Sequence, residues 1–313
     1  MRNLSAPPHR YLRALMIALV AAALTGVAAL AIIPPLIIGP MVNQHVVFGQ
    51  VWSGEEQGLD PTRLTLITKD GLRVAAYEVW APDPKAVIIF ASGIHNPSVT
   101  AFFGHARMLL DEGYASILLE MRAHGESQGD TIALGYHEHL DTRAVVDYIK
   151  GDARYDGVSI VVYGLSMGGA TAINATGQIP EIAALISLSA FSSWDQLFVD
   201  NMGVGGPLAS AQRFFVRLYT THKYGTESQH ITPERQIANL GERPALLIHS
   251  RQDSQVPHSH LERLAAVAPT HVETWTREGD LHLIVQSGLF LEPAQDIEYA
   301  ARIIGFLEQH FGR

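Results

Sequence analysis

A serine flanked by glycines is the first feature of the sequence that could do chemistry. Residues 161–170 read VVYGLSMGGA, so Gly164, Ser166 and Gly168 fit the pattern Gly-x-Ser-x-Gly. The apolar run before the serine predicts a strand, and the small residues after it predict a helix. Such a turn exposes a serine hydroxyl for nucleophilic attack, and its glycines avoid clashes with crowded backbone. Glycine also serves ordinary tight turns, so the motif needs partners before it indicates catalysis.

Two residues downstream could activate this serine. A serine hydroxyl attacks well only when a base takes its proton, and that base is commonly a histidine oriented by a carboxylate. Asp253 follows the predicted strand PALLIHS, and His282 follows the next predicted strand, HVETWTRE. Alone, each has an ordinary explanation, as a turn residue or as one of 15 histidines. Their order after Ser166, each beyond a strand end, points to a Ser-Asp-His triad.

The surrounding pattern predicts an α/β protein whose mostly parallel central sheet is covered by helices on both faces. Asp70-Gly71 separates two predicted strands and is a strong hairpin signal. Short apolar segments beyond it predict the strands AVIIFAS, ASILLEM, VSIVVYG and AALISLSA. Between and after them the predicted helices are HLDTRAVVDYIKG, MGGATAINATG, HLERLAAVA and a closing helix at about 294–311.

Residues 191–240 interrupt this alternation. The segment is much longer than an ordinary connection and contains many aromatic residues and glycines. We interpret it as a lid-like insertion that shapes a binding site. Its aromatic residues at 214–224 fit packing within the insertion first, and a membrane-facing or acyl-binding surface second.

The N-terminal segment predicts insertion into a membrane. Ala14–Ile33 carries no charged residue, and as a helix it would cover about 30 Å, the thickness of the apolar core of a bilayer. Arginines precede it, and the next Lys or Arg after Arg13 is Arg63. By the positive-inside rule the short tail stays in the cytoplasm and the rest is exported.

These features divide the chain into four parts. We predict a cytoplasmic tail (1–13), a transmembrane signal-anchor helix (14–33) that ends at Pro34-Pro35, a linker (34–60) and a catalytic domain (61–313) that carries the insertion. The alternative is a cleaved signal peptide, because Ala29-Leu30-Ala31 fits a small-x-small cleavage site. The apolar run continues past that site through Ile38, which favours the uncleaved anchor. Both alternatives export the catalytic domain.

Composition excludes several kinds of protein. The net charge of −9 leaves no basic surface for nucleic acid. The chain has no cysteine, which excludes disulfides, thiolate metal ligands and a cysteine nucleophile. His137/His139 and His258/His260 form His-x-His pairs, but neither pair has the further ligands of a zinc site. We therefore expect no metal ion and no cofactor.

At these motifs the chain resembles the α/β-hydrolase family, over roughly residues 63–311. EMRAHGES (120–127) is similar to that family's Asp-x-Arg-Gly-His-Gly-x-Ser segment, from which Glu120 and Ala123 depart. HSRQDSQVP is similar to its Gly-x-x-Asp-x-x-Val-Pro acid loop, with Ser250 in place of glycine. The likeness is strongest to bacterial exported or membrane-anchored serine hydrolases, related to lysophospholipase-like and prolyl-oligopeptidase-type catalytic domains.

The resemblance implies roles for individual residues. It assigns Ser166 as the nucleophile, Asp253 as the orienting acid and His282 as the general base. One donor of the oxyanion hole is then the backbone N–H of Met167, directly after the serine. The second is assigned to the backbone N–H of Ile94 in ASGIHNP, which follows the third predicted strand.

Two points in this assignment depend on the local register. Ser92-Gly93 stands where the family usually has His-Gly, so His95 could instead point its side chain into the site. Arg122 and His124 fit a role in ordering their loop better than a catalytic one.

The implied activity is that of a serine esterase or lipase-like hydrolase (EC 3.1.1 class), which cleaves a carboxylic ester through an acyl-serine intermediate. Its substrate would be a small-molecule or lipid ester, and it would contact the membrane through its N-terminal helix. A peptidase or thioesterase on the same scaffold is the alternative. A non-catalytic binding module is a further alternative, although such a module has no need to retain a complete triad.

Overall fold

An eight-stranded sheet forms the centre of the computed structural model, which describes residues 8–203 and 205–312. The spatial order of the strands is β1-β2-β4-β3-β5-β6-β7-β8. β1 and β2 pair antiparallel, β2 also lies antiparallel to β4, and all other neighbours are parallel. The strands are β1 (Thr62–Ile67), β2 (Arg73–Val79), β3 (Ala86–Ala91), β4 (Ala115–Leu119), β5 (Ser159–Leu165), β6 (Ile182–Leu188), β7 (Ala245–Ser250) and β8 (Glu273–Arg277).

Helices cover both faces of this sheet, as the sequence predicts. The α-helices are α1 (Pro8–Val42), α2 (Phe103–Asp111), α3 (His139–Gly151), α4 (Met167–Gln178), α5 (Trp194–Asn201), α6 (Gly206–Tyr224), α7 (Pro233–Gln236), α8 (Ser259–Val267) and α9 (Ile297–Phe311). Alternate residues of β3 enter two separate apolar cores. Val87 and Ile89 pack with α3, α4 and α8, whereas Ile88 and Phe90 pack with α2 and α9. Both faces of the sheet are therefore buried at its central strands, whereas most residues of the edge strand β1 are exposed.

The predicted hairpin at Asp70-Gly71 is present. β1 and β2 pair from Thr62↔Glu78 to Ile67↔Arg73. The side chain of Thr68 donates to Asp70 Oδ1 at 2.6 Å and so closes the turn.

The insertion between β6 and β7 is helical. It contains α5, α6 and α7, and α6 packs against both α5 and α1. Buried residues of α6 recur every four positions, at Gln212, Val216, Thr220 and Tyr224, which is the spacing of one helix face.

The N-terminal helix differs from the prediction at its end. We expected Pro34-Pro35 to end the helix, but α1 continues to Val42. A proline at position 34 has no N–H to donate to the carbonyl of Leu30. Gln212 Nε2 of α6 donates to that carbonyl at 3.3 Å instead, and Ile38 and Val42 are fully buried in the core. Packing against the insertion thus holds the helix beyond the prolines, so residues 34–42 are helical and not a linker.

Residues Arg10–Val42 form a helix long and apolar enough to cross a membrane, with a mean hydropathy of 2.6 in its most apolar window. That window is entirely unburied.

Candidate active site

Ser166 lies at the turn between β5 and α4, with a backbone φ of 55° and ψ of −117°. Positive φ is uncommon for residues other than glycine, and such strain concentrates at functional sites. The Ser166 N–H donates to the Leu188 carbonyl at the end of β6, at 2.8 Å. The strand-to-helix turn expected from the motif is therefore present.

The glycines of the motif are required by close backbone contacts. A Cβ on Gly164 would collide with the carbonyl oxygen of Gly168. A Cβ on Gly168 would collide with the carbonyl oxygens of Ala91 and Ser92, at the end of β3. The turn can therefore lie against the sheet only because these positions lack side chains.

Asp253 and His282 are brought together from the loops after β7 and β8. His282 Nδ1 lies 2.9 Å from Asp253 Oδ2 and 3.1 Å from Oδ1. The N–H groups of Gln255 and Val256 each donate to Asp253 Oδ1 at 2.9 Å. Burial opposes ionisation of Asp253, but the hydrogen bonds from His282, Val256 and Gln255 together hold the pKa of this carboxyl below its usual value. A buried carboxylate that accepts from Nδ1–H leaves Nε2 free to act as a base.

Ser166 and His282 are both attached to the end of β6. The Leu188 carbonyl accepts from the Ser166 N–H, and the next residue, Ser189, donates its hydroxyl to the His282 carbonyl at 2.8 Å. Within the described part of the chain, hydrogen bonds join Asp253 to His282 but none joins His282 to Ser166. Such serine–histidine contacts often tighten only when substrate binds.

The loop after β3 lies beside the serine. A Cβ on Gly93 would lie 3.7 Å from the Cβ of Ser166, in ordinary contact. The Ile94 carbonyl lies 2.5 Å from His124 Nε2, so the 120–127 segment holds this loop. Met167 is the first residue of α4, where backbone N–H groups have no partner within the helix. Both backbone N–H groups assigned to the oxyanion hole therefore belong to segments that flank Ser166.

His95 faces another part of the molecule. Its Nε2 lies 3.0 Å from the Met41 carbonyl and 3.1 Å from Gln44 Nε2, at the C-terminal end of α1. The ring therefore contacts the N-terminal helix and its continuation.

The 120–127 segment is held by buried polar contacts. Arg122 donates to Asp141 at 2.7 Å and to Asp70 at 2.7 Å, which ties α3 and the β1–β2 turn to this loop. Partial burial opposes ionisation of Asp70, but its hydrogen bonds with Arg122 and Thr68 hold its pKa at about 2. Burial raises the pKa of Glu120, whose carboxylate accepts from the Glu126 N–H at 2.7 Å. These contacts fit the loop-ordering role expected for Arg122.

The histidines of the pair His258/His260 form hydrogen bonds with residues of other segments. His260 Nδ1 accepts from the Ser192 N–H at 3.0 Å, and His258 Nε2 lies 2.9 Å from Thr276 Oγ1. Among the residues that the structure describes, no three or more His, Asp or Glu side chains are grouped so as to hold a metal ion.

A cavity of about 300 Å³ adjoins His282. Apolar side chains of the segment after β8 line it together with polar groups of the acid loop, among them Leu283, Val285, Phe290, Ser254 and Gln255. A second cavity, of about 420 Å³, lies in the insertion, and the three proposed catalytic residues are not among those that line it. Of the three proposed catalytic residues, His282 lines the first cavity, which makes this cavity the candidate substrate pocket.

Sequence reasoning missed two supporting residues. Ser189 holds the His282 carbonyl, and buried His249 lies with Nε2 3.6 Å from Asp253 Oδ2. Ser189 also has a positive φ, of 49°. Neither residue belongs to a sequence motif, so no pattern in the chain could single them out.

Three features are together those of an α/β hydrolase: the order of the strands in the sheet, the strand-to-helix turn (or elbow) that carries Ser166, and the pairing of Asp253 with His282. The protein belongs to the family described as X-Pro dipeptidyl-peptidase (S15 family), which matches residues 70–276, more than half of the chain. It is therefore a hydrolase of the esterase or peptidase type.

The chain is also similar to individual proteins and to a solved structure. The chain is 27% identical over 229 residues to YqkD of Bacillus subtilis, an uncharacterized protein, and the match covers 71% of each chain. It is 25% identical over 256 residues to the α/β hydrolase domain-containing protein WAV2 of Arabidopsis thaliana, covering 72% of this chain and 79% of that one. The esterase Pf2001 of Pyrococcus furiosus has a similar fold, with a TM-score of 0.66 at 23% identity, covering 87% of this chain and all of that one.

Proposed function

We propose that the protein is a serine esterase that cleaves carboxylic esters through an acyl-enzyme on Ser166. The observation that carries the proposal is the buried Asp253 carboxylate, 2.9 Å from the Nδ1 of His282, whose backbone is held by the same end of β6 that holds Ser166. The pair fixes the imidazole so that Nε2 is the basic nitrogen.

The reaction follows from these positions. His282 Nε2 takes the proton of the Ser166 hydroxyl as Oγ attacks the ester carbonyl. The N–H groups of Met167 and Ile94 stabilise the negative oxygen of the tetrahedral intermediate. Collapse breaks the C–O bond to the alcohol, which leaves with the proton from His282. A water molecule then gives a proton to His282 as it attacks the acyl carbonyl. Collapse of the second tetrahedral intermediate breaks the bond between the acyl carbon and Ser166 Oγ, which takes the proton from His282 as the acid is released.

Two observations support an ester with an apolar acyl chain. Leu283, Val285 and Phe290 line part of the cavity beside His282, where such a chain would pack. The similar structure from Pyrococcus furiosus is described as an esterase. The family description, X-Pro dipeptidyl-peptidase, favours cleavage after proline as the second candidate.

Paired substrates distinguish the two candidates. We expect purified full-length protein in detergent to hydrolyse p-nitrophenyl butyrate at least about 100-fold faster, in kcat/KM, than a Gly-Pro p-nitroanilide. Ser166→Ala should lower ester turnover by at least about 10³-fold, as loss of a triad nucleophile does. A preference for the anilide would replace the esterase by the peptidase, and full ester turnover in Ser166→Ala would remove both.

We also propose that α1 anchors the protein in a membrane, with the catalytic domain on the extracytoplasmic side. Support comes from the apolar span 14–33, whose residues are exposed except at the partly buried Leu30 and Ile33, and from Arg10 and Arg13 at its start. If signal cleavage near Ala31 occurred instead, residues 34–42 would remain packed on the catalytic domain.

A further inference from the structure

Helix α6 of the insertion runs beside the last turns of α1. Gln212 Nε2 donates to the Leu30 carbonyl at 3.3 Å, and Lys223 Nζ donates to Asn43 Oδ1. Between these contacts, a Cβ on Gly39 would lie 3.8 Å from the Tyr219 hydroxyl. Residue numbers rise together along the two helices, so α1 and α6 are parallel.

This direction places the start of α6 beside the apolar span of α1. Leu208 precedes Gln212 by four residues, or about 6 Å along a helix. Since Gln212 lies level with Leu30, Leu208 lies level with about Gly26, well inside the apolar stretch 14–33.

The charge pattern of the insertion changes at the same level. Residues 201–212 (NMGVGGPLASAQ) carry no charge, and the first charged residues of α6 are Arg213 and Arg217. Arg213 lies about level with Ala31, close to where the apolar span of α1 ends. Both arginines donate to Asp195 Oδ2 at 2.8 Å, and both remain partly exposed. Basic groups at that level suit the phosphate-bearing surface of a bilayer.

Large apolar side chains of α6 are exposed along this part of the helix. Leu208, Phe214 and Leu218 are 54%, 61% and 55% exposed, although Gln212 and Val216 on the inner face are buried. We call these three side chains the seating surface. Exposed apolar side chains mark a contact with a partner or a membrane when they form a contiguous patch, and these three lie on a helix beside the apolar span of α1.

We propose that the seating surface inserts into the leaflet from which α1 emerges, so that α1 and α6 together hold the catalytic domain against the bilayer. The inference rests on the proposed anchor. The occupant is lipid because Leu208 lies level with the apolar span of α1, and because Phe214 and Leu218 follow at the level where that span ends, next to Arg213 and Arg217. An esterase held in this way meets apolar esters that reside in the membrane.

Single engineered cysteines can test this proposal, because the natural chain has none. Leu208→Cys and Phe214→Cys report on the seating surface in the full-length protein, reconstituted in phosphatidylcholine–phosphatidylglycerol vesicles. Leu24→Cys reports on the anchor, and Ile297→Cys, at an exposed apolar position that begins α9, is the control. Each variant is labelled with an environment-sensitive fluorophore. Quenching is then measured with nitroxide lipids and with aqueous iodide.

We expect the labels at 208 and 214 to be quenched at least about twofold more strongly than the label at 297 by lipids that carry the nitroxide near the headgroup. Iodide should quench the label at 297 most. Equal iodide quenching at 208, 214 and 297, with the label at 24 shielded, would overturn the seating surface and leave the anchor intact. Iodide access at 24 as well would overturn both, whereas the esterase proposal is tested separately by substrate turnover.

Discussion

Ser166 and His282 are held in position by neighbouring residues that take no part in the proposed reaction. The positive φ of Ser166 persists because its N–H is bonded to Leu188 and because glycines remove side chains from the turn. The His282 backbone is held by the Ser189 hydroxyl, and its ring is held by Asp253. We therefore expect each residue to be sensitive to changes in the loops around it.

Comparing two histidines tests the assigned base. His282→Ala should lower kcat/KM for p-nitrophenyl butyrate by at least about 10³-fold, because no base then takes the serine proton. His95→Ala should cost less than about tenfold, since that ring contacts the end of α1. Equal losses in the two variants would show that the assigned base or the loop register is wrong.

The pH profile of the wild type provides a second measurement on the same pair. Histidine is the side chain whose charge ordinarily changes between about pH 5 and 8, and a base must be unprotonated, so kcat/KM should rise across that range. Asp253 has a lowered pKa, so it stays ionised throughout this range and does not contribute to the rise. A flat profile across this range would contradict a histidine base.

Much of the candidate site could be predicted at the level of single residues, because these residues lie beyond the ends of strands that the local sequence predicts. Ser166 directly follows β5, while Asp253 and His282 lie three and five residues beyond the ends of β7 and β8, and parallel strands end at one edge of a sheet. Ser189 and His249 could not be predicted, because their contacts depend on how the loops fold back. For the same reason, the partners of His95 at the end of α1 were not foreseen.

Among the secondary-structure elements, the strands could be predicted closely from the sequence, whereas the helices of the insertion could not. Apolar runs such as AVIIFAS specify buried strands directly, because both faces of this sheet are covered. The end of α1 depends instead on Gln212, which lies far along the chain and donates to the carbonyl that Pro34 leaves free. No local rule for proline could anticipate that contact.

Substitutions of two helical glycines can test how tightly the Ser166 turn is packed. Gly168→Ala should lower the free energy of unfolding by about 3 kcal/mol, because its Cβ meets two backbone carbonyls that cannot move aside. Ester turnover should fall with it. Gly305→Ala, in α9, has open space around its Cβ and should be neutral or stabilising by up to about 1 kcal/mol. Chemical denaturation of the full chain in detergent measures both, and equal effects would contradict tight packing at the elbow.

The whole molecule combines an exposed apolar helix with a catalytic domain into which that helix packs. Ile38 and Val42 belong to the core of the domain, and the chain that follows α1 pairs Val46 with His124. The proposed anchor is thus joined to the domain by packing and not by a free linker. If α1 spans a membrane, this packing sets the orientation of the catalytic domain relative to it.

Reporter fusions after Ser53 test the topology. We expect a reporter that is active only outside the cytoplasm to be active at this junction, and the full chain to resist extraction by alkaline carbonate. A fusion after Arg13 serves as the cytoplasmic control. Activity of a cytoplasm-only reporter after Ser53 would contradict export. Carbonate release of a chain that begins near Ile32 would leave export in place and replace the anchor by a signal peptide.

The central claim is that Ser166 forms the acyl-enzyme. A fluorophosphonate probe reacts covalently with an activated serine, and peptide mass spectrometry identifies the residue that carries it. We predict one modified peptide, which spans the 164–168 motif with the probe on Ser166, and loss of labelling in Ser166→Ala and in His282→Ala. Labelling of another serine, or undiminished labelling of Ser166→Ala, would contradict the account.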